Sequence, residues 1–154
     1  MALSLSESHA SLAWVGATSV ALPHLLGAGS INASLAELGL RQTSVNKRDL
    51  GTTAGDMALL MDAVVTGKGM SEAGRRDARE LLLWQEVRDG IPTGLPAGVN
   101  VGNKTGTWEG AAHDVALVEA PSGTCVITVL SDKDWGCAPI SRVSKAVFDV
   151  LSKE

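Results

Sequence analysis

At 154 residues, with 45% hydrophobic and 19% charged residues, the chain has the length of one ordinary domain and the balance of a globular protein. Its formal net charge of −4 comes without any Lys/Arg-rich run, and its four Trp are scattered, with one Phe and no Tyr. That removes both the charge and the stacking platform that nucleic acid would need as a partner.

Helical signals fill the first part of the chain. Ser8 to Ala36 contains no Asp, Glu, Lys or Arg. The stretch before it has no basic start for a signal peptide, and His9, Pro23, His24 and several Ser and Gly interrupt it, so a buried helix from Ala10 to Leu26 is expected rather than a membrane span. A short helix follows with Ser30 as its expected N-cap, Ile31, Leu35 and Leu38 on one face, and Gly39 as its stop. Thr53 to Thr66 reads as an amphipathic helix ended by Gly67. Ser71 opens another, with Leu81, Leu82 and Trp84 expected to be buried at its end.

Between Asp89 and Gly98 three Gly and two Pro form a turn-rich joint, after which the apolar period becomes strand-like. Three strands are expected, at Asn100–Thr107, Asp114–Ala120 and Thr124–Ser131, with Pro121-Ser122-Gly123 as a tight turn. A closing helix, Pro139 to Leu151, is expected to lay Ile140, Val143, Val147, Val150 and Leu151 on the sheet. The fold class is therefore α+β, in one domain over 1–154: a mainly helical part at 1–90, then a three-stranded antiparallel sheet with a covering helix at 99–154. So thin a sheet keeps an edge that is open unless another strand, chain or ligand covers it, which invites pairing in a homo-oligomer or with a separate fragment.

Cys125 and Cys137 stand without a Cys-x-x-Cys pattern or clustered histidines, so no metal site is expected. Their spacing leaves both a disulfide and two separate thiols open. The chemistry-bearing pattern is Lys104-Thr105-Gly106, followed by Thr107, at the end of the first strand. A Lys offers charge to a carboxylate, a Thr hydroxyl offers a hydrogen bond, and Gly leaves the strand surface bare for a ligand that pairs along it. Taken alone, the tripeptide also fits a solvated strand end with a turn glycine.

It does not stand alone. Ser6-Glu7-Ser8 lies ahead of the first helix, followed by Gly29-Ser30-Ile31-Asn32-Ala33, Leu38-Gly39-Leu40, Thr52-Thr53-Ala54-Gly55-Asp56-Met57, Leu82-Leu83-Trp84, the run from Leu95 to Thr107, and His113-Asp114. In order and spacing this set resembles the carboxy-terminal part of class A β-lactamase-like serine hydrolases, the superfamily of serine β-lactamases and penicillin-binding proteins. The resemblance implies an incomplete β-lactamase-like fold and an acyl-enzyme mechanism on a small β-lactam or peptide-like substrate, with no cofactor. It implies that Lys104 and Thr105 bind the substrate carboxylate beside Gly106, and that the Thr107 N–H is an oxyanion donor. Ser6 would relay a proton to the leaving nitrogen, and Ser8 would stand where the family grips the substrate with an amide. The family is usually exported, although no signal peptide is expected here.

Three departures accompany the resemblance. Glu7 and Ser8 replace the Asp and Asn of the family's Ser-Asp-Asn loop, and each Ser there also fits a helix cap. The nucleophile's Ser-x-x-Lys motif belongs well upstream of that loop, so it is expected to be missing. Ser44-Val45-Asn46-Lys47 matches it by letter, but in a polar connection. No glutamate lies between Glu37 and Glu72, where class A enzymes place the residue that hydrolyses the acyl-enzyme. This chain is thus expected to supply a substrate-binding wall and to be inactive alone. The rivals are a non-catalytic module for β-lactams or peptidoglycan peptides, a decayed remnant, and a helical partner-binding protein in which the strand is inert.

Overall fold

The computed structural model describes residues 25–45, 50–108, 111–131 and 136–152. The expected first helix lies almost wholly outside the described residues. Helix α1 spans Ala28–Leu38 and is entered through Gly27 at φ 77, with no side-chain cap. Ser30 is therefore inside the helix and is not its cap. Gly39 closes it in the left-handed region (φ 95), its N–H and that of Leu40 reaching the carbonyls of Ala36 and Leu35.

A small antiparallel hairpin not foreseen from the sequence follows, β1 (Ser44–Val45) against β2 (Leu50–Gly51). The Asn32 amide stands in for a strand partner: its Oδ1 accepts from Val45 N at 2.8 Å and its Nδ2 donates to Val45 O at 3.0 Å. This ties α1 to β1.

Helix α2 spans Ala54–Thr66, with the Thr53 hydroxyl accepting from Asp56 N, and α3 spans Glu72–Leu83, with Ser71 accepting from Gly74 N. Met61 and Val64 of α2 pack with Leu117, and Ala78 and Leu82 of α3 join them. Leu81 and Trp84, expected inside, are exposed. Only Leu82 of that trio faces the core, because a helix against a sheet buries a narrow stripe rather than every apolar residue of its last turn.

The joint contains a 3-10 turn, Ile91–Gly94, and leads into β3 (Asn100–Trp108), β4 (Ala111–Ala120) and β5 (Gly123–Ser131). The three strands are antiparallel in the order β3–β4–β5, with Thr105 opposite Asp114 and Leu117 opposite Val126. Alternation along β4 splits the core. Leu117 faces α2 and α3, while Ala112, Ala116 and Val118 face a second cluster with Ile91, Val101, Ile127 and Ile140. Helix α4 (Cys137–Leu151) covers that second face.

Helix α4 is turned from the expected orientation. Ile140, Ser144 and Phe148, spaced four apart, contact the sheet and the joint, while Val143, Val147, Val150 and Leu151 are exposed. The reason is polar: Ser144, fully buried, donates through Oγ to Ile91 O at 3.1 Å, and a valine facing inward would leave that carbonyl without its partner. Cys125 and Cys137 are both free thiols, each half-buried, so no disulfide joins them.

Candidate functional site

Lys104, Thr105, Gly106 and Thr107 lie together on β3, an outer strand of the sheet among the described residues, with Ala112–Val115 of β4 on its inner side. Lys104 and Thr107 are exposed, and Thr105 and Gly106 are half-buried. The Lys104 ammonium folds back to donate to Thr105 O. A side chain at Gly106 would meet only His113, at 3.7 Å, so β4 does not demand a glycine there. What Gly106 provides is bare strand surface. The result is a row of backbone groups, a cation and a hydroxyl on a strand edge, an arrangement suited to an extended ligand bearing a carboxylate.

The residues behind this edge were not singled out as site residues from sequence. Gly102 lies so close to α3 that a Cβ would stand 3.0 Å from Leu82 Cβ and 3.2 Å from the Leu82 and Leu83 backbone. Asn103 and Asp114 are both fully buried between β3, β4 and the joint. The Asp114 carboxylate accepts from Ile91 N at 2.7 Å and from Asn103 Nδ2 at 3.1 Å, and that same amide donates to Val87 O. Burial pushes the Asp114 carboxyl above its ordinary range, against the pull of those donors, and the negative charge of Asp89 adds to the rise. A signal existed in the sequence: an Asp on the strand face shared with Ala112 and Ala116 is out of place unless it is partnered.

At the far end of the same strands Arg79 forms a two-pronged pair with Glu119, at 2.7 and 2.6 Å, and Asn100 Nδ2 adds a third bond to that carboxylate. The Arg79 bond holds Glu119 below the usual carboxylate range. This pair clamps α3 to the sheet away from Lys104.

Ser6 and Ser8 lie outside the described residues, so only the β3 part of the expected site is described. Ser44 is exposed on the two-residue β1. That is not the helix a Ser-x-x-Lys nucleophile requires, and Lys47 lies outside the described residues. Among the described residues no three His, Cys, Asp or Glu side chains gather as metal ligands, and no helix is long and apolar enough to cross a membrane. A cavity of about 320 Å³ lies between β5 and α4, lined by Val129, Pro139, Ile140 and Val143 among others, on the side of the sheet away from Lys104.

The profile of the Beta-lactamase enzyme family matches residues 17–151. The chain belongs to this family. Among solved structures it is similar to the beta-lactamase from Sphaerobacter thermophilus DSM 20745, with a TM-score of 0.78 and 23% identity over 86% of this chain and 57% of that one. It is also similar to PBP-A, with a TM-score of 0.73 and 24% identity over 83% of this chain and 52% of that one. A mutant of the class A beta-lactamase of the last common ancestor of Gram-negative bacteria gives 0.76 and 25%, over 85% and 58%. The chain thus spans just over half the length of these solved relatives. No curated protein matches it.

Proposed function

We propose that this chain forms the substrate-binding wall of a β-lactamase-like serine hydrolase that acts on a β-lactam or a related amide or ester through an acyl-enzyme. The observation that carries the reading is the Lys104-Thr105-Gly106 edge of β3, with Lys104 exposed, in a member of this family. A mutant of PBP-A has been solved as an acyl-enzyme complex with penicillin G, which makes that compound a fitting probe. Lys104 and Thr105 take the substrate carboxylate, the bare surface at Gly106 admits the substrate backbone, and the Thr107 N–H meets the oxyanion as it develops. Ser6 relays a proton to the leaving nitrogen and Ser8 holds the substrate from the opposite side.

On this reading the serine nucleophile is not among these 154 residues, which form one part-domain. Ser44, exposed on β1, has no packed lysine scaffold beside it among the described residues. Benzylpenicillin should then bind saturably and leave no covalent adduct in intact-mass spectra. Lys104→Ala removes one charge-assisted contact and should weaken binding by about tenfold or more. An unchanged affinity in Lys104→Ala would show that the strand is inert.

The second reading, a non-catalytic module for β-lactams or peptidoglycan peptides, predicts the same binding. It parts from the first when a polypeptide carrying a Ser-x-x-Lys helix is supplied: an acyl adduct forms only on the first reading. The outer edge of β5 has no further strand beside it among the described residues, and we include a homo-oligomer formed through that edge in the proposal.

A further inference from the structure

We propose that Asp114 is a positioning residue, whose buried carboxyl couples Ile91 in the joint, and with it Val87 just before the joint, to β3 and so sets where Lys104, Thr105 and Gly106 stand. The inference rests on the substrate-binding reading of that strand. Its geometry is a closed relay. The two Asp114 oxygens are shared between Ile91 N, in the joint, and Asn103 Nδ2, one residue before Lys104. Thr105 is the strand partner of Asp114 itself. The second Asn103 proton goes to Val87 O, just before the joint. Beside the backbone ladder with β4, the Lys104 segment is thus tied to the joint through one carboxyl and one amide.

The packing around the carboxyl is built to keep it there. A Cβ on Gly90 would stand 2.4 Å from Asp114 Oδ2, so the joint approaches only because residue 90 has no side chain. Asp114 and Asn103 are fully buried, and Asn103 Oδ1 has no hydrogen-bond partner. A buried amide oxygen without a donor is costly, and its presence beside a carboxyl marks a place where adding a proton changes which bonds can form.

The ionisable groups that face Asp114 are Asp89 from the joint and Cys137 from α4. Neither is a cation. The cationic side chains of the adjoining segments are directed elsewhere, Arg88 to Val101 O and Lys104 to Thr105 O. Ionising Asp114 thus places a negative charge in the interior with N–H donors from Ile91, Asn103 and Val115 but no counter-ion, and loads the contacts to Ile91 and Asn103 differently from the neutral acid. Because Asn103 precedes Lys104 and Thr105 pairs with Asp114 across the β3–β4 ladder, the protonation state of Asp114 is transmitted to the substrate edge.

The test is a pH titration of the whole chain followed by amide NMR without ligand, repeated with benzylpenicillin. Ile91 N–H, the Asn103 side-chain amide and the Lys104–Gly106 amides should shift together with one midpoint above the ordinary carboxylate range. Benzylpenicillin affinity should change by about fivefold or more across that midpoint, at the low end of ordinary coupling between sites. In Asp114→Asn the shared midpoint and the pH dependence of binding should both vanish.

The proposal is overturned if Ile91 titrates while Lys104–Gly106 stay flat, or if Asp114→Asn keeps the midpoint. The wild-type titration decides the matter even if the variant does not fold. Amides that titrate as expected in a chain that never binds benzylpenicillin would sink the substrate reading while leaving the coupling through Asp114 in place.

Discussion

Gly94 is set against α4 so tightly that a Cβ there would lie 2.1 Å from both Ser141 O and Ser144 Oγ. Ser144 could rotate, but the Ser141 carbonyl belongs to the helix backbone and cannot move without shifting α4. Gly94→Ala should therefore cost about 3 kcal/mol, at the upper end of overpacking penalties, read as a lower urea midpoint. The Arg79–Glu119 pair is a milder case, because both side chains keep contact with water. Arg79→Ala should cost no more than about 1 kcal/mol. Its pH dependence has a definite sign: Glu119 is held below its ordinary value of 4.5. The pair's contribution is thus complete above that value and fades as pH falls through the lower, folded one. Denaturant melts of wild type and Arg79→Ala should accordingly converge in acid. Asp114 behaves oppositely. Its carboxyl is raised from 3.8, so the stability gap between Asp114→Asn and wild type should widen in favour of the variant as pH climbs from there through the folded value.

Among the elements, the glycine stops at Gly39 and Gly67 read most directly from the chain, whereas the expected N-cap Ser30 lies inside α1. The Thr53 hydroxyl accepts from Asp56 N at 3.2 Å, and the Asp56 carboxylate accepts from the Thr43 hydroxyl at 2.7 Å and from Gln42 N at 2.8 Å. The Thr43 bond, with help from backbone N–H groups, holds Asp56 below the usual carboxylate range. Thr53→Ala should lower stability by about 1 kcal/mol in thermal melts, with the loss confined to the cap. The glycine stops and the three strands were legible because each depends on local chemistry at a fixed offset. The face of α4 was not. Counting valines points to Val143 and Val147, whereas the buried stripe is chosen by Ser144, whose partner at Ile91 lies 53 residues away. The β1–β2 hairpin escaped notice for the same reason, since its anchor is the amide of Asn32 in α1. In the site, Lys104 to Thr107 was visible as a motif, but the Asn103–Asp114 relay behind it required knowing which strands pair.

At the scale of the whole molecule, the sheet has among the described residues two outer strands with different chemistry. The β3 edge carries Lys104 and is suited to a charged ligand. The β5 edge, Gly-Thr-Cys-Val-Ile-Thr-Val-Leu-Ser, carries no charge, although soluble proteins commonly guard a long edge with lysine or proline. Beside it lie the exposed valines of α4 and the apolar cavity against Ile140. If two copies pair β5 to β5 in antiparallel fashion, the two-fold axis stands normal to the sheet and keeps both α4 helices on one face. Val143 and Val147 of each copy are thereby brought toward their counterparts, and uncharged edges meet without repulsion. Light scattering on the 15.9 kDa chain should then show a mass that rises toward twice the monomer as concentration increases. Replacing Val143 and Val147 with lysine should hold it at the monomer without lowering Tm, because neither side chain is in the core. A wild-type chain that stays monomeric at every concentration would leave the β5 edge without this role, and the lysine variant would then match it in mass. A dimer that persists in the lysine variant would instead place the contact away from α4, on another surface of the chain.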